Sequence, residues 1–205
     1  MSTVTGLRQA SRRAVQSQIV AIAEDLFVAK GFEETTVDEI AAAVGMSQRS
    51  FFRYFPSKDD VVLDRLTRLG DDLLSGLASR PLDEPEWDSL QHMFDPVLER
   101  FTDDELREHD AAMQRVIDGS ARLLAAYLQR LDAVQQRLTD ELQTRADSRD
   151  SGSTPDPIVL RAKVGAAFAC LHAAICHVVA RDDPDQFAHH LHHTMTALRP
   201  AADAS

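Results

Sequence analysis

Apolar residues recur at helical spacing along almost the whole chain. Val15, Ile19, Ile22, Leu26 and Phe27 mark one segment. Leu124, Leu128, Leu131, Val134, Leu138 and Leu142 mark another, predicted as a helix of roughly 27 residues and about 40 Å. Stop and start signals divide the pattern. Gly31 closes the first helix, and Thr36 with Glu39 three residues on forms a capping box that opens a short second helix, ended at Val44-Gly45. Ser47 caps a third, Gln48 to Phe55, stopped by Pro56; Ser57 opens a fourth with Asp59 and Asp60 in its first turn. Helix then continues from Val61 to about Ser79, and Pro81 to Pro85 breaks the chain. A helix from about Glu86 to Phe101 contains Pro96, which predicts an interruption near Gln91 and His92. Thr102 to Glu105 reads as a second capping box, Gly119 as a hinge, and residues 147–157 as a loop. Asp156-Pro157 and Asp183-Pro184 open final helices near 157–181 and 184–198. No β alternation stands out, so the fold class is all-α.

Charge divides the chain unevenly. The net charge is −11. Residues 1–58 carry seven Lys and Arg against six Asp and Glu, whereas the remainder carries fifteen against twenty-seven. The first quarter can approach a polyanion and the rest repels one. The N-terminus has no apolar signal core, which points to the cytoplasm. The most apolar run, Val164 to Ala180, contains His172 and His177 and is too short and polar for a membrane span. Cys170 and Cys176, six apart on a helix, face different ways and make poor disulfide partners.

Residues 36–55 have the layout of a helix-turn-helix. Val37, Ile40, Ala41, Val44, Met46 and Phe51 supply a small shared core, Ala41 permits close helix crossing, and Gly45 suits a turn needing positive φ. Gln48, Arg49, Ser50 and Arg53 then point outward, presenting the amide, guanidinium and hydroxyl groups that reading base edges requires. Thr36 and Ser47, at helix N-termini, are placed to hold phosphates beside backbone N–H groups. The competing reading is a plain three-helix core with solvated charges.

The match extends beyond this pattern. Residues 21–63 resemble the DNA-binding domain of the tetracycline-repressor (TetR) family, through Leu26-Phe27, Gly31-Phe32, Thr35-Thr36-Val37, Ile40-Ala41, Gly45-Met46-Ser47, Tyr54-Phe55 and Lys58. The resemblance implies that Thr36, Ser47, Tyr54 and Lys58 are phosphate ligands and that Gln48, Arg49 and Ser50 are groove readers, with Arg53 alongside them. Phe52 stands where a phosphate-contacting Tyr is frequent, and Arg49 where Gly is frequent, adding a donor suited to guanine or phosphate. It also implies the domain plan. Residues 1–11 form a flexible arm and 12–58 the DNA-binding domain, with the fourth helix from about 58 as the link. Residues 59–199 form a larger effector-binding and dimerisation domain, and 200–205 a disordered tail. Arg8, Arg12 and Arg13 are either backbone-tracking or idle tail charges.

The implied protein is a homodimeric, ligand-responsive repressor of a palindromic double-stranded DNA operator, with no membrane partner and no required cofactor. For the dimer, the last two helices offer Val164, Phe168, Leu171, Ile175, Val178, Phe187, Leu191, Met195 and Leu198, the alternative being that this stripe is intrachain core. For a pocket, Trp87, Met93, Phe94, Phe101, Met113, Tyr127, Phe168 and His172 are available, although such residues also form ordinary cores. The absence of a basic cluster there favours a mostly apolar effector. A weaker similarity of the region after Phe55 to mycofactocin-system regulators suggests an acyl thioester. His189, His190, His192 and His193, and His172 with Cys176, leave a metal- or redox-sensing regulator as the alternative. No nucleophile–base arrangement or phosphate loop supports an enzyme.

Overall fold

The computed structural model describes residues 2–101, 103–149, 155–181 and 183–200, with side chains from residue 10 onward. All regular structure among them is helical. In chain order the helices are α1 (Ser2–Lys30), α2 (Val37–Val44), α3 (Gln48–Phe51), α4 (Lys58–Val62), α5 (Asp64–Ala78) and α6 (Glu86–His92). They continue with α7 (Asp95–Phe101), α8 (Asp104–Asp118), α9 (Ala121–Asp147) and α10 (Pro157–Arg181). A 3-10 turn (Pro184–Gln186) then leads into α11 (Phe187–Ala197).

Two compact units result, and they are not consecutive in sequence. The first comprises Met1–Thr67 with His109–Arg130, the second Arg68–Glu108 with Leu131–Ser205. The expected division near residue 58 is therefore corrected. The end of α8 and the start of α9 belong with the first unit because Met113, Ile117 and Leu123 are buried in its core beside Ile19, Phe27 and Phe51. Residues 2–11, expected as a flexible arm, are the first turns of α1, which contain no proline to stop the helix growing outward from its packed portion. Of the expected tail, 201–205 lie outside the described residues. So do Thr102 of the second capping box and 150–154 of the loop; Asp103 caps α8 instead, its Oδ1 accepting from Leu106 N at 3.1 Å.

In the first unit, the predicted stops hold for physical reasons. Gly31 has φ +93° and Gly45 has φ +77°. At Gly45 the amides of Gly45 and Met46 reach back to the carbonyls of Ala42 (3.0 Å) and Ala41 (2.9 Å), a Schellman closure that requires the left-handed residue. The third and fourth helices are shorter than expected. After Phe51 the bonds Arg53 N to Ser50 O and Tyr54 N to Phe51 O span three residues instead of four, so the chain tightens into turns before Pro56. The fourth helix breaks at Leu63, and α5 restarts at Asp64.

The second unit closes over Leu73, Leu90, Phe94, Leu138, Val164 and Leu191. Pro96 separates α6 from α7 as predicted, since it cannot donate a helical bond and its ring opposes the His92 carbonyl. The 81–85 break is tied down by cations of α9 and the turn after it: Arg145 donates to the carbonyls of Arg80 (2.8 Å) and Pro81 (2.7 Å), and Arg149 to that of Glu84 (2.6 Å). Trp87 donates its indole N–H to Met195 O at 2.9 Å. Helix α10 has the length and apolarity of a membrane span, but Leu160, Val164, Ala167, Leu171, Ala174 and Val178 are buried in this core. Gly70 lets α5 approach α9: a Cβ there would lie 2.6 Å from Val134 Cγ2. Gly70→Ala is expected to lower stability by about 1–3 kcal/mol through overpacking. Urea titration measures this, and Val134→Ala in the same chain should recover part of the loss.

The dimerisation stripe is corrected here. Val164, Leu171, Val178, Phe187, Leu191 and Met195 are buried within one chain, so they have no surface left for a second copy. Phe168 and Ile175 pack against the same core, and only Leu198 is exposed. The outward face of α10 instead carries Ile158, 72% exposed, and Val179, 65% exposed, with Ala162, Ala169 and Ala173 between them.

Candidate nucleic-acid interface

The site is built on α2, the Gly45 turn, α3 and the turns to Phe55. Ile40, Ala41, Phe51 and Phe55 are buried and fix the two helices to one another and to α1. The caps complete the frame. Thr36 Oγ1 accepts from Glu39 N (3.2 Å) while Glu39 Oε2 accepts from Thr36 N (2.8 Å), the predicted capping box. Lys30, bonded to Glu39, and the two Thr36 donors hold the Glu39 carboxyl down to about 2. Because that value is depressed in the folded chain, its stabilisation is present above the ordinary carboxylate range and is lost only as pH falls towards 2. Ser47 caps α3, its Oγ accepting from Ser50 N at 3.2 Å and donating to Ser50 Oγ at 3.1 Å.

Six predicted readers and contacts stand outward. Thr36, Ser47, Gln48, Arg49, Phe52 and Arg53 are exposed. Gln48 and Arg49 have no side-chain hydrogen bond or ion pair among the described residues, so their donors are available. Ser50 is half-buried with its hydroxyl shared by Ser47. Thr36 Oγ1 donates to Glu39 Oε2 at 2.7 Å, so an incoming phosphate oxygen competes for that proton. No acidic residue lies between Glu39 and Asp59, leaving a nineteen-residue stretch with only Arg49, Arg53 and Lys58 charged.

Tyr54 is clasped by two arginines. The guanidinium carbons of Arg12 and Arg53 lie 5.4 and 5.9 Å from its ring centroid. Arg12 also donates to Arg53 O at 2.8 Å, and Gln16 to Tyr54 O at 3.4 Å. Arg12 is thus a strut from α1 to the end of the recognition segment, a role the sequence left open. Gln16 was missed altogether; only its position one turn from Arg12 could have signalled it.

Lys58 departs from its expected role as a phosphate ligand. Its ammonium donates to the carbonyls of Phe32 (2.6 Å), Thr35 (3.1 Å) and Glu33 (3.4 Å), and stands 4.2 Å from the Phe32 ring centroid. All three donors are engaged in holding the 32–35 loop that delivers Thr36 to α2. Lys58→Met keeps the stem over Phe32 and deletes the donors. It is expected to cost about 1 kcal/mol in denaturant titration, because the half-exposed carbonyls can rehydrate. The slope of DNA affinity against salt should hardly change; a fall in that slope by about 1 would show a phosphate contact.

The proposed pocket residues do not converge. Trp87, Met93, Phe94, Phe101 and Phe168 pack in the second unit, with Phe94 edge-on to Phe168 at 5.6 Å and Phe101 stacked on Phe187 at 3.9 Å. Met113 and Tyr127 belong to the first unit's core, and His172 is exposed. The cause is that α8 packs into the first unit's core while α9 contributes residues to both, which periodicity alone cannot divide. An open groove of ≈ 460 Å³ lies instead in the first unit, between Phe27, Val28 and Phe32 and the Ala112–Ser120 stretch.

The metal alternative gains no ligand set. No group of three or more His, Cys, Asp or Glu placed to hold an ion occurs among the described residues. His172 Nε2 lies 3.5 Å from Cys176 Sγ, and the rings of His177 and His190 meet at 4.2 Å.

A capped, acid-free α3 presenting amide and guanidinium donors without partners among the described residues defines a helix-turn-helix of the DNA-binding class. Residues 19–64 match the tetR family of bacterial regulatory proteins, so the chain carries a DNA-binding domain of that family's type. It is 37% identical over 144 residues to the HTH-type transcriptional regulator TcmR of Streptomyces glaucescens, a match covering 68% of this chain and 64% of TcmR. The chain thus spans somewhat under two thirds of that relative's length. The putative mycofactocin biosynthesis regulator MftR of Mycobacterium tuberculosis is 40% identical over 50 residues, about a quarter of either chain, a domain-length likeness that carries no ligand assignment. A putative TetR-family regulator from Mesorhizobium loti has the same fold, with TM-score 0.60 over 91% of this chain and 95% of its own at 18% identity. These relatives are transcriptional regulators and not enzymes.

Proposed function

We propose that the protein is a homodimeric repressor in the bacterial cytoplasm that binds a palindromic duplex through Gln48 and Arg49 and is released by a small, mostly apolar effector. The observation that carries this reading is the outward face of α3, where two donor-rich side chains without partners sit on a helix fixed by caps and by buried Phe51 and Phe55. Ser47, Ser50, Arg53 and Tyr54 flank them and suit phosphate and groove-edge contacts. One short helix touches too few base pairs to specify a site, so a twin about 34–36 Å away is needed.

The face available for that twin is the outward side of α10, with Ile158, Ala162, Ala169, Ala173 and Val179, together with Leu198 beyond α11. Its small residues allow close helix approach, and its exposed Ile and Val supply apolar area. The apolar character of the effector rests on the second unit's core of aromatic and aliphatic residues, where Arg145 is the one buried charged residue among that unit's described residues and is committed to carbonyls. An acyl thioester remains one member of that effector class, and no cofactor is needed for DNA binding.

Selection of duplexes from a random library, followed by mobility-shift titration, tests the reading. A palindromic consensus bound by a species of twice the chain mass is expected. Equal affinity for scrambled duplexes at moderate salt would sink it. Ala169→Arg should give monomers in sedimentation with normal helicity and a loss of palindrome binding.

A further inference from the structure

The first unit contains an ionic cluster that DNA reading does not use directly. Glu24 of α1 is only 4% exposed. Its Oε2 lies 2.8 Å from His109 Nε2 on α8. Its Oε1 is buried without a hydrogen-bond partner, 3.8 Å from Arg65 Nη1 on α5. That same Nη1 is 2.8 Å from Asp110 Oδ1 on α8, at an angle that makes an ion pair but no hydrogen bond. The charged and titratable groups facing the Glu24 carboxylate are therefore Arg65 from α5 and His109 and Asp110 from α8; Asp25 beside it on α1 is exposed.

The Glu24 carboxylate is incompletely compensated. Its Oε1 is buried with no hydrogen-bond donor, and Arg65 Nη1, the cation beside it, lies closer to Asp110. One added proton on the Glu24–His109 pair lowers the cost of burying that oxygen while keeping the 2.8 Å hydrogen bond. Burial pushes the Glu24 carboxyl above the ordinary range, against the opposing pull of Arg65 and His109. A carboxyl raised in the folded chain favours folding below its unfolded value, and that contribution is lost as pH rises through the folded value.

The location gives the proton a consequence. Glu24 lies twelve residues, about 18 Å, along the same rigid helix from Arg12, which with Gln16 holds the carbonyls of Arg53 and Tyr54. A change in how α8 seats on α1 tilts the strut that carries the recognition segment. Met113 and Ile117, on α8, share the core with α1's Ile19 and Phe27, so α8 is seated by both apolar and ionic contacts.

We propose that Glu24 and His109 form a proton-binding joint between α1 and α8 that positions the recognition segment, so that proton uptake at the joint tightens DNA binding. Both are positioning residues, acting through α1, Arg12 and Gln16. The DNA half of this inference rests on the regulator reading; the joint itself does not.

The test compares wild type, Glu24→Gln and His109→Gln, both substitutions keeping an amide able to hydrogen-bond. Hydrogen exchange over residues 109–118, corrected for intrinsic rate and measured from pH 8 down to pH 4.5, should show wild-type protection rising as pH falls and a flat profile in either variant. Affinity for the selected duplex should rise over the same range, with the variants shallower by about 0.5 or more in log Kd per pH unit. The other seven histidines are present in all three proteins, so the difference between them isolates the joint. A merely structural role would lower stability and leave the pH slopes equal, which would overturn the joint. A lost exchange profile with unchanged DNA slopes would overturn its coupling to DNA. Were no duplex retained at all, the regulator reading would fail while the exchange comparison still decided the joint.

Discussion

Replacing Phe51 by alanine is expected to destabilise the first unit by about 3–5 kcal/mol, a large share of what a domain of this size possesses. The ring is fully buried, edge-on to Phe52 at 5.5 Å and 6.1 Å from Phe55. It belongs to the same core as Ile40 and Ala41 of α2 and Ile19 of α1. Its removal leaves a cavity where α3 has almost no support of its own, since four helical residues cannot persist without tertiary packing. The expected result is a lower denaturation midpoint and loss of duplex binding at a temperature where the second unit is still folded. Phe52→Ala is the matched control. That ring is about half exposed, and its loss should cost about 1 kcal/mol or less. Equal effects from the two neighbours would refute the placement of the recognition helix.

Arg49→Ala is expected to act on DNA and not on folding. The guanidinium is exposed and without a partner among the described residues, so stability should change by no more than about 0.5 kcal/mol. If it reads guanine bidentately, each half-site loses about 1–3 kcal/mol, and a twofold-symmetric complex loses about twice that. The loss should be confined to duplexes carrying guanine at one position of each half-site. A uniform loss on scrambled duplexes, with a salt slope reduced by about 1 for each lost contact, would reassign Arg49 to phosphate. Gln48→Ala provides a second readout at the neighbouring base step, and its effect should be separable from that of Arg49 by the position at which preference relaxes.

These experiments address surfaces that were legible to very different degrees from the order of residues. The helix-turn-helix was legible because its determinants are local. Thr36 and Glu39 are three residues apart, the Gly45 closure spans six, and Ser47 acts on Ser50. Gln48 and Arg49 point outward as the neighbouring buried Phe51 dictates. Lys58 was misread because its partners are the carbonyls of residues 32, 33 and 35, and backbone acceptors leave no mark in composition. The strut from Arg12 and Gln16 spans about forty residues and was invisible for the same reason. Glu24 resembled an ordinary solvated acid on an amphipathic helix until packing enclosed it.

The order of residues by itself determined that the chain is helical, where most helices begin and end, and which short helix presents polar donors to solvent. Those outcomes depend on hydrogen bonds and periodicity within a few residues of each other. Only the tertiary structure decided which core α8 and each half of α9 join, that the α10 stripe is consumed inside one chain, and that Lys58 and Glu24 face inward. A helical stripe states that a face must be covered but not by what. The partner is chosen by packing between segments as much as 108 residues apart, as Trp87 and Met195 are.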